Sequence, residues 1–280
     1  MLVREDHRTV RLISGEREQS VWRKDQPDYL VHSYAQLVAL AALTWSGFSS
    51  QKCGNTLVVG LGGGVLCRWF LRHFNGMQVD VVEPNRNVIE IARKYFALDK
   101  RIFVFECDGR SHVAKHTGKY DIIVLDAFDD TYIPADMLSI EFLQLVQKRL
   151  RPRGMFIANL WVSADLNPHE DATYCKAFGN VWELRRSPNI EGNRIMVCNE
   201  ELKHLQDLLP LLRQRAQLLD ERLGHPTRNQ IPGTRRMLSY LEMTHRLKAG
   251  KISASAAGSI LTDNNADRLR RRATFDYAPA

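Results

Sequence analysis

The sequence predicts an α/β fold: a mostly parallel sheet with helices on both faces, a small β-hairpin before it and a helical extension after it. Between residues 56 and 161, strand-like segments of a few residues, rich in Val and Ile, alternate with helix-like ones, the pattern of a parallel sheet covered on both sides. The first of these strands runs into a glycine-rich turn, and the next three each end in or beside an acidic residue. Right-handed crossovers bring all those strand ends to one edge, so any ligand is expected there.

Each element follows in order. Residues 8–25 alternate on either side of Ser14-Gly15-Glu16, which predicts a hairpin. From Tyr29 to Trp45 the apolar spacing is helical, and SGFSSQKCGN is a loop into the first sheet strand. LVV (57–59) then precedes a helix over Val65–Phe74, VDVVE (79–83) a helix over Asn87–Phe96, and RIFVF (101–105) a short helix near Ser111–Lys115. YDIIVLD (120–126) precedes a helix over Asp136–Leu150, and MFIANLW (155–161) one over Asp171–Phe178. VWELRR (181–186) and RIMVCN (194–199) form an antiparallel pair that closes a sheet of seven strands. The expected organisation is therefore 1–50 for hairpin and helix, 51–200 for the nucleoside-binding catalytic domain, and 201–280 for a basic helical extension. In that extension Pro210 interrupts the helical pattern of 201–224, a second helix covers Arg235–Lys248, and 249–280, poor in large apolar residues, is a loose tail.

Composition sets limits. With 44% hydrophobic and 25% charged residues over 280 positions, the chain has enough apolar material for a full core. Its longest apolar runs fall far short of the roughly 18 residues of a membrane span. The N-terminus has charges of both signs and no signal-like apolar stretch, so a cytoplasmic location is expected. Five cysteines without a C-x-x-C pair suit reduced, buried thiols. Of the net charge of +7, residues 201–280 carry +6, from 14 Lys and Arg against 8 Asp and Glu. That sign attracts nucleic acid, but no aromatic residues interleave as a stacking platform requires, so a solvated helical face is the expectation.

The chemistry lies at the strand ends. Gly60, Gly62, Gly63 and Gly64 permit a tight turn and close approach of a ligand to the backbone at a helix N-terminus. Glu83 follows 23 residues after Gly60, the spacing at which a carboxylate reaches a ribose diol. Asp108, with Gly109, adds an acceptor suited to an exocyclic adenine amine. The regular G-x-G-x-x-G of a dinucleotide fold is absent, which favours an adenosylmethionine-type nucleoside. Asp126, Asp129 and Asp130 stand where a second substrate belongs, and Asp126 directly follows four apolar residues, where a buried carboxylate needs a cation or a proton. His112 and His116, four apart, are read as exposed imidazoles rather than a metal site, and no metal is expected. Trp161 either walls the pocket or caps the core.

The segments VVGLGGGVL, VVEPNRNVIEIARKYF, ECDG, YDIIVLDAFDD and SIEFLQLVQKRLRPRGMFIANLW resemble, in order and spacing, the short bacterial members of the spermidine synthase family of polyamine aminopropyltransferases. The resemblance implies a seven-stranded Rossmann-like sheet of the class I S-adenosylmethionine type. It also implies transfer of an aminopropyl group from decarboxylated S-adenosylmethionine to a small amine, with a homodimer as an assembly open to the chain. Carried over by position, Glu83 holds the ribose and Asp108 the adenine. Asp126 takes the attacking amine's proton, Asp129 binds a diamine's cationic end, and Gln19 and Tyr34 contact donor and substrate.

The departures are informative. The family's G-G-G-D-G-G has its acid, which holds the donor's free amine, at the position of Gly62; one of its glycines is Leu61, and a histidine beside the substrate tyrosine is Ala35. Losing that acid removes repulsion against the carboxylate of intact S-adenosylmethionine. An S-adenosylmethionine-dependent methyltransferase is thus the alternative enzyme, and a nucleoside-sensing or nucleic-acid-associated module with a working basic tail is the non-enzymatic one.

Overall fold

The computed structural model describes residues 1–48, 53–130, 132–185, 192–200, 205–222, 248–251 and 258–275. Strands β1 (Leu2–Glu5), β2 (Thr9–Ser14) and β3 (Arg17–Arg23) form an antiparallel sheet of their own. The expected hairpin is β2–β3, turning at Gly15 with φ 59°; β1 adds a third strand that was not expected. A register shift opposite Leu12/Ile13 leaves Gln19 as the extra residue of β3, since Leu12 pairs with Ser20 and Ile13 with Glu18.

Helix α1 (Ser33–Ala42) leads into the main sheet, whose parallel strands are β4 (Asn55–Val59), β5 (Gln78–Val82), β6 (Phe103–Phe105), β7 (Tyr120–Leu125) and β8 (Leu150–Trp161). Between them run α2 (Val65–His73), α3 (Arg86–Tyr95), α4 (Gly109–Lys115) and α5 (Ile140–Arg149); α6 (Asn167–Phe178) follows β8. Strands β9 (Val181–Arg185) and β10 (Asn193–Cys198) close the sheet antiparallel. The seven expected strands lie in the order β6-β5-β4-β7-β8-β10-β9. The chain steps outward from β4 to β6, then returns to build β7 and β8 on the other side, so the switch point falls between β4 and β7.

Strands β4, β5 and β7 are buried on both faces because their side chains are almost all apolar. One hydrophobic cluster fills the side of α1, α2 and α3, and a second the side of α5 and α6. Helices begin where polar side chains satisfy orphan amides: Asn85, Asp108 and Ser139 accept from the amides of Asn87, Ser111 and Phe142 at 3.0, 2.7 and 3.2 Å.

The C-terminal third departs from expectation. Helix α7 (Leu205–Arg222) runs through Pro210 without interruption. An interior proline costs about 3 kcal/mol, and packing offsets it: Leu212 and Ala216 are buried, and Arg215 donates to the carbonyls of Leu43 and Trp45 at 2.6 and 2.8 Å. Strand β11 (Lys248–Lys251) joins the main sheet beside β9, so the extension supplies an eighth strand. The helix expected over 235–248 lies, up to 247, outside the described residues. Residues 258–275, expected as a loose tail, are packed: Leu261 and Ala266 are buried and the segment carries α8 (Ala266–Arg272). Among the described residues no helix is long and apolar enough to cross a membrane.

Candidate active site

The site grows from the switch point. Gly60 ends β4 with φ 103°, and a Cβ on it would stand 2.2 Å from the carbonyl oxygen of Asp126. Only glycine lets β4 and β7 release their chains so close together. Asp126 therefore emerges beside the glycine turn, its amide bonded to the carbonyl of Val59 at 2.8 Å.

The Asp126 carboxyl is enclosed. Asn159 Nδ2 donates to its Oδ1 at 2.8 Å, and the Tyr34 hydroxyl, brought over by α1, donates as well. Burial pushes the carboxyl up to about 7, while these two hydrogen bonds pull the other way. Asn159 is itself fixed by Asn193 of β10, which donates to its Oδ1 at 2.8 Å. An acid held near neutrality at the C-terminal edge suits proton transfer at physiological pH. The structure thus brings Tyr34 and Asp126 together. Asn159 and Asn193 went unread in the sequence, although an asparagine within the apolar stretch of β8 is a signal: a buried amide there demands a partner.

On the other side of Gly60, Glu83 ends β5, 9% exposed, and accepts from the amides of Leu61 and Asn85 at 3.2 and 2.9 Å. Desolvation raises its pKa, partly countered by these two amides. Its carboxylate spans the turn and α3, with lone pairs left for a diol. Asp108 ends the segment after β6 and is exposed; one oxygen caps α4 through Ser111. Gly109 is buried, with Val59 Cγ1 2.5 Å from the place of a Cβ.

Gly62 and Gly64 also have positive φ, 50° and 71°. Ser20 of β3 reaches into the turn: its hydroxyl accepts from the Gly63 amide at 2.9 Å and lies 2.7 Å from where a Cβ on Gly62 would be. The N-terminal sheet thus fills the space into which the family's acid would project. Gln19 sits next to it at the bulge, and no partner for its side chain is seen among the described residues.

Asp129 behaves differently from expectation. Its Oδ1 accepts from the Tyr132 amide at 2.9 Å, and both oxygens are held by the guanidinium of Arg270 on α8. The carboxylate expected to take a substrate's cation already holds one of the chain's own. Trp161 is buried in the cluster on the side of α5 and α6: it stacks on Phe128 at 4.9 Å and is 5.5 Å from the ring of Tyr132. The Tyr132 hydroxyl donates to buried Glu170 at 2.7 Å, and Glu170 neighbours the buried Arg194.

Neither of the two histidines is exposed, against expectation: His116, the residue that caps the end of α4, is half-buried. His112 is buried and stacks on His116 at 4.7 Å; burial, with His116 beside it, lowers its pKa to about 4. Among the described residues no cluster of His, Cys, Asp and Glu is placed to hold a metal.

The sequence model of the spermine/spermidine synthase domain matches residues 40–179, half of the chain. A polyamine aminopropyltransferase of Vibrio vulnificus (strain CMCP6) is 30% identical over 69% of this chain and 66% of its own length. The human eEF1A lysine and N-terminal methyltransferase is 34% identical over 70% of this chain, which spans only 30% of that protein. Among solved structures, a probable spermidine synthase from Corynebacterium glutamicum ATCC 13032 superposes with a TM-score of 0.69 over 82% of this chain and 95% of its own, at 17% identity, a likeness of fold.

Proposed function

Since the chain belongs to the spermine/spermidine synthase family, we propose that it is an aminopropyltransferase of polyamine metabolism, acting in the cytoplasm with decarboxylated S-adenosylmethionine as donor and a small amine as acceptor. The observation that carries the reading is the enclosed Asp126 carboxyl, poised near pH 7 at the switch point beside the glycine turn.

An ammonium with a pKa near 10 has no lone pair to attack with. Asp126 accepts its proton, and Tyr34 and Asn159 hold the carboxylate's orientation while it does so. The freed nitrogen attacks the donor's propyl carbon next to sulfur. A C–N bond forms, the C–S bond breaks with its electron pair passing to the sulfonium, and neutral methylthioadenosine leaves without needing an acid. Glu83 accepts from the ribose hydroxyls and Asp108 from the adenine amine, with Gly60, Gly62, Gly64 and Gly109 letting the nucleoside lie against backbone. Fixing nitrogen, carbon and sulfur in line supplies much of the remaining acceleration.

Methyl transfer is the second reading, favoured by one feature. Gly62 offers no anchoring acid and Ser20 fills the space, so nothing at that position repels the carboxylate of intact S-adenosylmethionine; the human relative is named for that chemistry. Titration calorimetry with decarboxylated S-adenosylmethionine, S-adenosylmethionine and methylthioadenosine in one buffer separates the two. Tighter binding of the decarboxylated donor is expected. Preference for the intact donor would move the assignment to methyl transfer, and no binding of any of the three would remove the nucleoside pocket.

A further inference from the structure

Residues 258–275 are a built part of the acceptor side. The Ile140 amide donates to the carbonyl of Leu261 at 2.8 Å. Arg110 forks onto Asp263 at 2.8 and 2.6 Å, and the amide and hydroxyl of Thr274 both donate to Asp165, at 3.1 and 2.9 Å. Fixed at these points, the segment delivers Arg270 to both oxygens of Asp129 and lays Phe275 against Tyr132 and Trp161, ring centroids 4.4 and 5.8 Å away. From the N-terminal sheet, Arg17 stands 4.7 Å over the Trp161 ring and donates to the Asp130 carbonyl at 3.3 Å.

These groups lie within reach of the base. Asn159 and Trp161 are two apart on β8, about 6.6 Å along the strand; Asn159 touches Asp126, and Phe128, stacked on Trp161, is two residues on from Asp126. An amine at Asp126 therefore meets, a few carbons out, a wall of Phe128, Trp161 and Phe275 with two guanidiniums at its rim. Asp129 paired with Arg270 carries no net charge to attract a second ammonium, and the guanidinium of Arg17 over Trp161 adds positive charge at the same rim.

We propose that Arg270 is a specificity-determining residue that closes the acceptor pocket to diamines, the acceptor being an amine with one cationic nitrogen at Asp126 and an apolar or aromatic far end against Trp161 and Phe275. The proposal rests on the aminopropyl reading for the chemistry, but the acceptor pocket is read by binding alone. The experiment is calorimetric titration of putrescine, n-butylamine and 4-phenylbutylamine into the full chain loaded with methylthioadenosine. The wild type is expected to bind 4-phenylbutylamine at least tenfold more tightly than putrescine. Arg270→Gln is expected to raise putrescine affinity about tenfold and to leave n-butylamine within about twofold. Arg270→Lys, which keeps the charge on Asp129, is expected to follow the wild type. Wild-type preference for putrescine, an Arg270→Gln protein that binds putrescine no better, or no amine binding by any of the three proteins would overturn the proposal. Failure of the aminopropyl reading looks different: the amine preferences hold, yet no methylthioadenosine is released from the decarboxylated donor.

Discussion

On the proposed donor side, Gly60, Glu83 and Asp108 follow successive parallel strands, and each is placed by the element it ends. On the acceptor side, Asp126 is held by Tyr34 from α1 and by Asn159 from a strand 33 residues on, and Asp129 by Arg270, 141 residues away. The first half is local and repeats one rule. The second is assembled from four distant stretches of chain, so its selectivity can change through residues far from the reacting atoms while the donor half stays intact.

That contrast is open to direct attack, and Asp126→Asn should do the most. The amide cannot take a proton, so turnover should fall by about 10²- to 10⁴-fold while donor affinity stays within about twofold, read by single-turnover release of methylthioadenosine. The same variant should be more stable at pH 8. The folded carboxyl titrates near 7 against 3.8 for an ordinary Asp, so the wild type loses stability as pH rises from about 4 through 7. The thermal midpoint of Asp126→Asn should exceed the wild type's at pH 8, and the gain should shrink as pH falls through 7 towards 4. A difference in midpoint between variant and wild type that is the same at pH 8 and pH 4 would show that the carboxyl is not desolvated.

Next in size is Glu83→Gln. Loss of a charged acceptor for the ribose should weaken donor binding about tenfold or more and leave amine binding unchanged; a parallel loss of amine affinity would show that the halves are not separable. Asn159→Leu should act on the acceptor half alone. Without its donated hydrogen bond the Asp126 carboxylate is less stabilised, so the acidic limb of kcat/KM, expected near pH 7, should move upward, with a several-fold lower rate at pH 7. The smallest effect is expected from Gly62→Asp made together with Ser20→Gly, which opens the space that the hydroxyl fills 2.7 Å from the Gly62 Cβ position. Preference for the decarboxylated donor over the intact one should rise a few-fold, and an unchanged ratio would mean that position 62 does not read the donor's amine end.

The sequence made the donor half legible because its logic is one-dimensional. A Val-rich strand buried on both faces must end at the common edge, so the glycine after β4 and the acid after β5 could be placed without a structure. Asp126 was legible for the same reason, with the apolar residues before it announcing a buried carboxyl. Asn159 left a trace, a polar residue in an apolar strand, but not the identity of its partner. Arg270 left none: in a run of arginines, Arg271 pairs with Asp267 one turn back on its own helix, and only the phase at which α8 docks sends Arg270 to Asp129.

By itself, then, the amino-acid sequence determined the parallel sheet, the edge at which its strands end and the carboxylates that line it, since strand periodicity and crossover handedness act over short stretches of chain. The tertiary structure alone decided which of those carboxylates remain available. Ser20 beside Gly62, Tyr34 and Asn159 on Asp126, and Arg270 on Asp129 are contacts between segments whose separation along the chain carries no information about their distance in space; the packing of the N-terminal sheet and the C-terminal segment against the edge fixes them.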